Sequence, residues 1–518
     1  MKSVVGVVGA GTMGAGIAQV AAVAGHPVLI ADAVPGAAAR AVGAIRDKVE
    51  AQVARGRLSA DPGALRLTAV ESVAGLAGCA VVIEAVVEDL AVKRSLFAEL
   101  EAAVAAGAIL ASNTSSLSPT ALAAGLAHPE RLVGLHFFNP VPAMRLVEVI
   151  PGLATAPAVA DAAADLATAW GKTVVRSTAT PGFIVNRIAR PYYAEAWRLH
   201  EEHACVPQNI DAVLTGAGGF RMGPFALMDL IGHDVNEAVT RSVWAAFGYD
   251  PRFAPALAQR ALVEAGWLGR KSGRGIYPGD GAPAPVPAPA VAAPEAVVEH
   301  LAGSGGASPL RAFLDRAGVA AVCGDRDDSE AGLADGLVEL PSGTLLVQTE
   351  GVTATSLSAA FERPVIVIDR VLDPAAATAV AIAASDGCPP GALAEAVGLL
   401  QAARLEVYVI EDTPALIVAR TVAMLANLAA DALACRVASE PDIDTAMRLG
   451  VNYPLGPLAW ARQWGIGTVL RLLDSLENWY RDGHYRASPL LRRAALAQRG
   501  PSGGESLLPR QGTATPER

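Results

Sequence analysis

Along the first 180 residues, short aliphatic or β-branched runs alternate with longer alanine-rich stretches of helical period. That alternation predicts βαβ units and a doubly wound parallel sheet. SVVGVV, residues 3 to 8, reads as the first strand, and Ala15 to Ala24 as the helix after it. PVLIAD forms a second strand ending in Asp32, and a helix is expected from about Pro35 to Arg57. Further strands fall near Leu65 to Ala69, from Ala80 to Val86, in GAILASN and in RLVGLHFF, with a short helix near Ser72 to Leu76. From about Gly182 to Ala265 the pattern is helical throughout, and it closes on a basic glycine-rich loop, Gly269 to Tyr277. The proline- and alanine-rich residues 278 to 297 read as a linker.

Beyond that linker the chain repeats itself. TPGFIVNR at Thr180–Arg187 returns as TPALIVAR at Thr413–Arg420, 233 residues later, and the same offset pairs Ile210-Asp211 with Ile443-Asp444 and Gly223-Pro224 with Gly456-Pro457. The helical segment is thus duplicated. Upstream, the offset aligns LVGL, before His136, with VIVI at Val365 to Ile368. Asp369 then stands for His136, Ala381 for Glu148 and Ala419 for Asn186, and residues 304 to 411 show no glycine fingerprint. A shortened, cofactor-free relic of the first fold is expected there, leaving one active site per chain. The resulting organisation is an α/β chain with a Rossmann-type domain (1–180), an all-α domain (181–277), the linker, a reduced Rossmann-like unit (298–411), a second all-α copy (412–498) and a disordered tail (499–518).

Charge and composition narrow the partners. A net charge of -10 over 518 residues offers no basic surplus for nucleic acid or an acidic membrane. The chain has no apolar run long enough to span a bilayer, and its first residues turn into a glycine pattern instead of a cleavage site. Five dispersed cysteines without metal-ligand spacing point to reduced thiols in a cytoplasm and to no metal.

The chemistry gathers at strand ends. Gly9, Gly11, Thr12, Met13 and Gly14 make a strand, glycine turn and helix, the arrangement that lets backbone approach a pyrophosphate at a helix N-terminus. Asp32, about 20 residues on, can accept from ribose hydroxyls and would repel a 2'-phosphate, which favours NAD over NADP. Glu84, Glu88 and Lys93 follow one strand, Asn113-Thr114-Ser115-Ser116 the next, and HFFNPVPAMRLVE, His136 to Glu148, the last. In that stretch an imidazole of near-neutral pKa can take and return a proton if a carboxylate holds the ring. Asn186 stands at an otherwise apolar helix start, a poor place for it unless its amide has a partner. Of the cations in the second helix, Arg40, Arg46, Lys48, Arg55 and Arg57, most read as a solvated face and Arg55 as the exception.

GAGTMG, EAVVEDLAVK, SNTSSL, HFFNPVPAMRLVE and TPGFIVNR, in that order, resemble the L-3-hydroxyacyl-CoA dehydrogenase family over residues 1 to 280. The duplicated second half is similar to the long bacterial branch of phenylacetate degradation, which acts on 3-hydroxyadipyl-CoA or 3-hydroxybutyryl-CoA. The resemblance implies NAD as cofactor, a CoA thioester as substrate, and His136 and Glu148 as the catalytic pair. It places supporting polar groups at Ser115, Asn139 and Asn186, and nucleotide contacts at Asp32, Glu88, Lys93, Asn113 and Lys271. Arg55, Lys93 and Ser115 fall where CoA is met. It also implies pairing through the helical domains, as a homodimer or as an internal pseudo-dimer in which the second copy replaces a partner. A dehydrogenase of a free hydroxy acid such as L-gulonate, and a non-catalytic binding protein, are the alternatives on the same scaffold.

Overall fold

A strand of an α/β sheet is set by the part of its apolar run that both helical layers cover, so the observed strands are shorter than the runs that announce them. The computed structural model describes residues 2–279, 281–300, 310–324 and 337–498. The first sheet contains β1 (Val5–Val8), β2 (Val28–Ala31), β3 (Leu67–Ala69) and β4 (Val81–Glu84). It continues with β5 (Ile109–Ser112), β6 (Leu132–Phe137), β7 (Leu146–Pro151) and β8 (Thr173–Arg176). The order is β3-β2-β1-β4-β5-β6-β7-β8. Val5 and Val7 of β1 join the core on one face of this sheet, and Val8 joins Val82, Phe97 and Leu110 on the other.

Every pair in this sheet is parallel except β6 with β7. The loop between those two is too short for a crossover, which needs about a dozen residues or more, so the chain can only turn back on itself. The antiparallel register sets His136 directly opposite Glu148.

The chain folds into two compact units, Met1–Arg187 with Ala432–Val451, and Ile188–Asp431 with Asn452–Arg518. The second helical copy expected from 412 to 498 is shared between the units: its helix Glu440–Gly450 belongs to the first. Ser439 caps that helix through the Asp442 N–H, and its first turn carries Glu440 and Asp442, which complement the dipole. It packs on β7 and β8, where Thr178 N–H donates to Val437 O at 2.8 Å.

In the second unit, the sheet comprises β9 (Ala296–His300), β10 (Ala320–Gly324), β11 (Leu337–Glu339) and β12 (Leu345–Gln348). β13 (Val365–Ile368), β14 (Ala379–Ala384) and β15 (Glu406–Val409) complete it, in the order β10-β9-β11-β12-β13-β14-β15. The linker thus ends where β9 begins, one residue before 297. β14 and β15 lie at the repeat offset from β7 and β8, residue for residue, and again only one turned-back pair, β13 with β14, separates them from β12. Against β14 packs the helix Pro207–Gly216 of the first copy, and Glu411 N–H donates to Ala204 O at 3.1 Å. That bond is the repeat image of Thr178 to Val437. Each helical copy thus lends one helix to the sheet of the other copy.

Among the described residues, no helix is long and apolar enough to cross a membrane. The tail expected to be disordered, 499–518, lies outside the described residues, as do parts of the reduced unit, 301–309 and 325–336.

Candidate active site

The β6–β7 hairpin brings the two central groups together. His136 is buried, and its Nδ1–H donates to Glu148 Oε2 at 2.6 Å. The other carboxylate oxygen, Oε1, accepts the backbone N–H groups of Ile184 (3.0 Å) and Val185 (3.1 Å). Both oxygens of Glu148 are thereby fixed from different sides. The ring is packed by Phe138 at 4.4 Å and Phe183 at 5.8 Å between centroids. With Nδ1 committed to the carboxylate, Nε2 is the nitrogen left to accept a proton.

Beside the hairpin lies the loop after β5. Asn113 Oδ1 accepts Phe137 N–H at 2.8 Å, tying the end of β5 to the residue after His136. Glu88 Oε1 gathers the next three residues: it accepts the N–H of Ser115 and of Ser116, each at 3.0 Å, and the hydroxyls of Thr114 at 2.7 Å and Ser116 at 2.9 Å. Ser115 Oγ, at 3.5 Å from the same oxygen, is too far for a firm bond and keeps its hydroxyl for another partner. Asn186 Nδ2 lies 3.4 Å from Ser115 O, so the structure brings Asn186 to Ser115. Asn139 sits exposed in the turn after β6, three residues beyond His136.

Lys93 has a different place from the one its sequence position suggests. Its ammonium is 1% exposed and pairs with Glu84 at 2.8 Å and Glu88 at 2.9 Å. Saturated in this way, it orders the Glu88 loop from beneath, where no face of its ammonium is left exposed. Glu84 is itself buried, accepting Ser112 Oγ at 2.6 Å and Val86 N–H at 2.7 Å. Burial pushes the Glu88 carboxyl up, but the Lys93 charge and the bonds from Lys93, Thr114 and Ser116 outweigh it and hold the group at about 2.

Residues 9 to 14 form an anion cradle. Gly9 has φ +103°, and a Cβ on Gly14 would stand 1.8 Å from Gly9 O, so strand and helix meet only because both are glycine. Gly11 has open space on its Cβ side, and no side chain caps the helix Thr12–Val23, whose first N–H groups face that space. Asp32 is held by Ala10 N–H (2.6 Å) and Val34 N–H (2.8 Å) at the rim. A shallow cavity of about 420 Å³ runs over Gly11, Thr12 and Arg40. The residues fit a dinucleotide.

Comparison with known proteins decides the family. Residues 4–180 match the NAD binding domain of 3-hydroxyacyl-CoA dehydrogenase, and residues 182–279 and again 416–504 match its C-terminal domain. The chain belongs to the 3-hydroxyacyl-CoA dehydrogenase family. It is an NAD-dependent oxidoreductase of that class. Residues 346–414 match the 3-hydroxybutyryl-CoA dehydrogenase reduced Rossmann-fold domain, in keeping with the relic expected from the repeat. The chain is 46% identical over 499 residues to 3-hydroxyadipyl-CoA dehydrogenase of Escherichia coli K12, covering 96% of this chain and 98% of that one. The crystal structure of 3-hydroxybutyryl-CoA dehydrogenase from E. coli K12 superposes with a TM-score of 0.86 at 44% identity, covering 96% of this chain and 99% of that one. Mitochondrial hydroxyacyl-coenzyme A dehydrogenase of Sus scrofa is 37% identical over 281 residues, 52% of this chain and 89% of its own.

The dehydrogenase has a second, larger cavity in the same unit, about 750 Å³, between the helices Thr12–Val23 and Ala37–Ala54 and the loop Pro140 to Arg145. Lys48, Arg57, Arg145 and Lys172 line it, with Gln52 and Trp170. Arg55 caps the C-terminus of the helix Ala37–Ala54, exposed and outside this lining, so the cation singled out from sequence is not one of those that converge. Convergence depends on the helix's orientation, which periodicity does not give. Lys172 Nζ donates to Val141 O (2.5 Å) and Met144 O (2.7 Å), and burial pushes its ammonium down to about 8. It fixes the loop that follows His136.

Lys271 lies in the second unit, in a turn after Gly269, paired with Asp234. Two buried carboxylates staple that turn: Asp229 accepts Ile276 N–H and Tyr277 N–H, and Asp211 accepts Tyr277 Oη–H at 2.9 Å.

Proposed function

We propose that this dehydrogenase oxidises the 3-hydroxyl of (3S)-3-hydroxyacyl-CoA thioesters reversibly, with 3-hydroxyadipyl-CoA as its preferred substrate. The observation that carries the chemistry is the His136–Glu148 pair, 2.6 Å apart, with the second carboxylate oxygen held by two backbone N–H groups. The E. coli relative named for that substrate, aligned across 96% of the chain, supports the choice of acyl group.

Gly9, Gly11, Thr12, Met13, Gly14 and Asp32 would hold NAD, which when bound would supply the acceptor for the hydride. His136 Nε2 takes the proton of the 3-hydroxyl and returns it in the reverse direction. Glu148 steadies the imidazolium and keeps the ring in the one tautomer that leaves Nε2 free. Its own orientation is set before substrate arrives, so little reorganisation accompanies the charge that develops on the ring. Ser115 Oγ, with Asn186 or Asn139, hydrogen-bonds the reacting oxygen and the thioester carbonyl. Glu88, Lys93 and Asn113 act on this loop, holding Ser115 and the end of β6. Lys48, Arg57 and Arg145 receive the phosphates of CoA, as clustered cations on one cavity suit a multiply charged anion.

The exchanged helices support an internal pseudo-dimer, in which the second copy stands where a partner chain would. Among the described residues, Cys79, Cys205, Cys388 and Cys435 are free thiols, which supports a cytoplasmic enzyme.

The test is NADH absorbance with NAD and, separately, 3-hydroxyadipyl-CoA, 3-hydroxybutyryl-CoA and L-gulonate. The highest kcat/KM is expected with 3-hydroxyadipyl-CoA. A preference for the butyryl thioester would replace the proposed acyl group, and turnover of gulonate alone would overturn the CoA reading.

A further inference from the structure

The helix Glu440–Gly450 ends directly behind the catalytic pair. A Cβ on Gly450 would stand 2.8 Å from Leu146 Cδ2, 3.0 Å from Val185 Cγ2 and 3.5 Å from Phe138 Cε1. Each of those residues is one step from the chemistry. Val185 N–H donates to Glu148, Phe138 packs on the His136 ring, and Leu146 opens β7 two residues before Glu148. The backbone of Gly450 is outside the left-handed region, so space, not conformation, is what demands glycine there.

We propose that Gly450 is a positioning residue for the dehydrogenation. The absent side chain lets a helix of the second copy close on Val185 and Phe138, and that closure holds Glu148 against His136. The duplicated half, which has lost its own dyad, thereby serves the first half's reaction by supplying this helix. The inference rests on the dyad as the catalytic pair. Its geometric part can be read without any turnover.

The second unit contains a matched control. The helix Pro207–Gly216 ends in the same manner, and a Cβ on Gly216 would stand 2.6 Å from Ala379 Cβ and 2.9 Å from Thr378 Oγ1. The same wedge can be driven there against a sheet that carries no dyad.

Gly450→Val, Gly450→Ala and Gly216→Val are compared by steady-state kinetics with NAD and 3-hydroxybutyryl-CoA, and by amide hydrogen exchange of the segment holding Ile184 and Val185. In Gly450→Val, kcat is expected to fall about tenfold or more, as sub-ångström to 1 Å misplacement costs, with KM for NAD within about twofold and faster exchange at Val185. Gly450→Ala gives a smaller fall, which Leu146→Ala in the same chain restores by returning the space. Gly216→Val leaves kcat and Val185 exchange within about twofold of wild type. If Gly450→Val does not fold, Gly450→Ala and its rescue carry the comparison. Wild-type Val185 exchange in the Gly450 variants, or an equal loss of kcat from Gly216→Val, overturns the proposal. A wild-type enzyme inactive on the thioester would count against the functional reading alone, because the exchange arm still decides the positioning role.

Discussion

Glu148, within β7 of the first sheet, and Asp369, the residue just after β13 of the second, hold equivalent backbone groups of the repeated segment. Glu148 accepts Ile184 and Val185 N–H; Asp369 accepts Ile417 (3.0 Å), Val418 (2.7 Å) and Ala419 (3.0 Å) N–H, the first two being the repeat images of 184 and 185. In the second copy the residue at the histidine's position has taken over the structural half of the glutamate's task. The histidine itself is missing there, and Ala381 stands at the glutamate's position.

That division predicts opposite outcomes for two similar substitutions. Glu148→Gln keeps an oxygen for the two N–H groups but removes the anion beside His136, so kcat is expected to fall about 10²-fold or more while Tm moves little. Asp369→Asn touches no catalytic group and turns an amide toward buried donors, costing about 1–3 kcal/mol of stability with kcat near wild type. Thermal unfolding and steady-state kinetics on the two variants check both halves.

His136→Ala should lower kcat about 10²- to 10⁴-fold and leave the binding of NAD intact, since the anion cradle at Gly9 to Gly14 is built from other strands. Quenching of protein fluorescence on titration with NAD, beside the NADH assay, separates the two effects. A variant with wild-type kcat would remove the imidazole from the mechanism.

Glu88 makes acid stability sensitive to one side chain. Its carboxyl is held at about 2 in the fold against an ordinary value of 4.5, so the folded state binds fewer protons than the unfolded chain between those values. The group therefore contributes stability above pH 4.5 that is lost as pH falls toward 2. Denaturant unfolding across that window should show a shallower acid limb in Glu88→Gln than in wild type, together with a raised KM for the thioester as the Ser115 loop loosens.

The basic cavity predicts a binding phenotype without a chemical one. Lys48→Ala and Arg57→Ala should each raise KM for the CoA thioester about 5- to 20-fold at low salt, with kcat unchanged and the difference shrinking as ionic strength rises. Arg55→Ala, outside that lining, should have a smaller effect. Kinetics at two salt concentrations distinguish these three.

Much of this protein is legible in one dimension. The alternation of short strands and helices, the glycine turn with Asp32, and the 233-residue repeat are local or periodic signals, and local signals survive into any fold that satisfies them. The pairing of His136 with Glu148 was equally accessible, because a short loop between two strands admits only an antiparallel return and a small set of registers. What tertiary structure decided are the relations between residues far apart in sequence. Burial of its ammonium, 1% exposed, also made Lys93 the tie between Glu84 and Glu88, a relation close in sequence but set by the sheet that covers it. The helix Glu440–Gly450 joined the first unit's sheet because apolar helix faces pair with whatever complementary face the whole chain presents, and a repeat in sequence does not say which copy that will be. The same rule chose Lys48 and Arg57 over Arg55: charge is written in the sequence, but the direction in which it points follows from how the helix is packed.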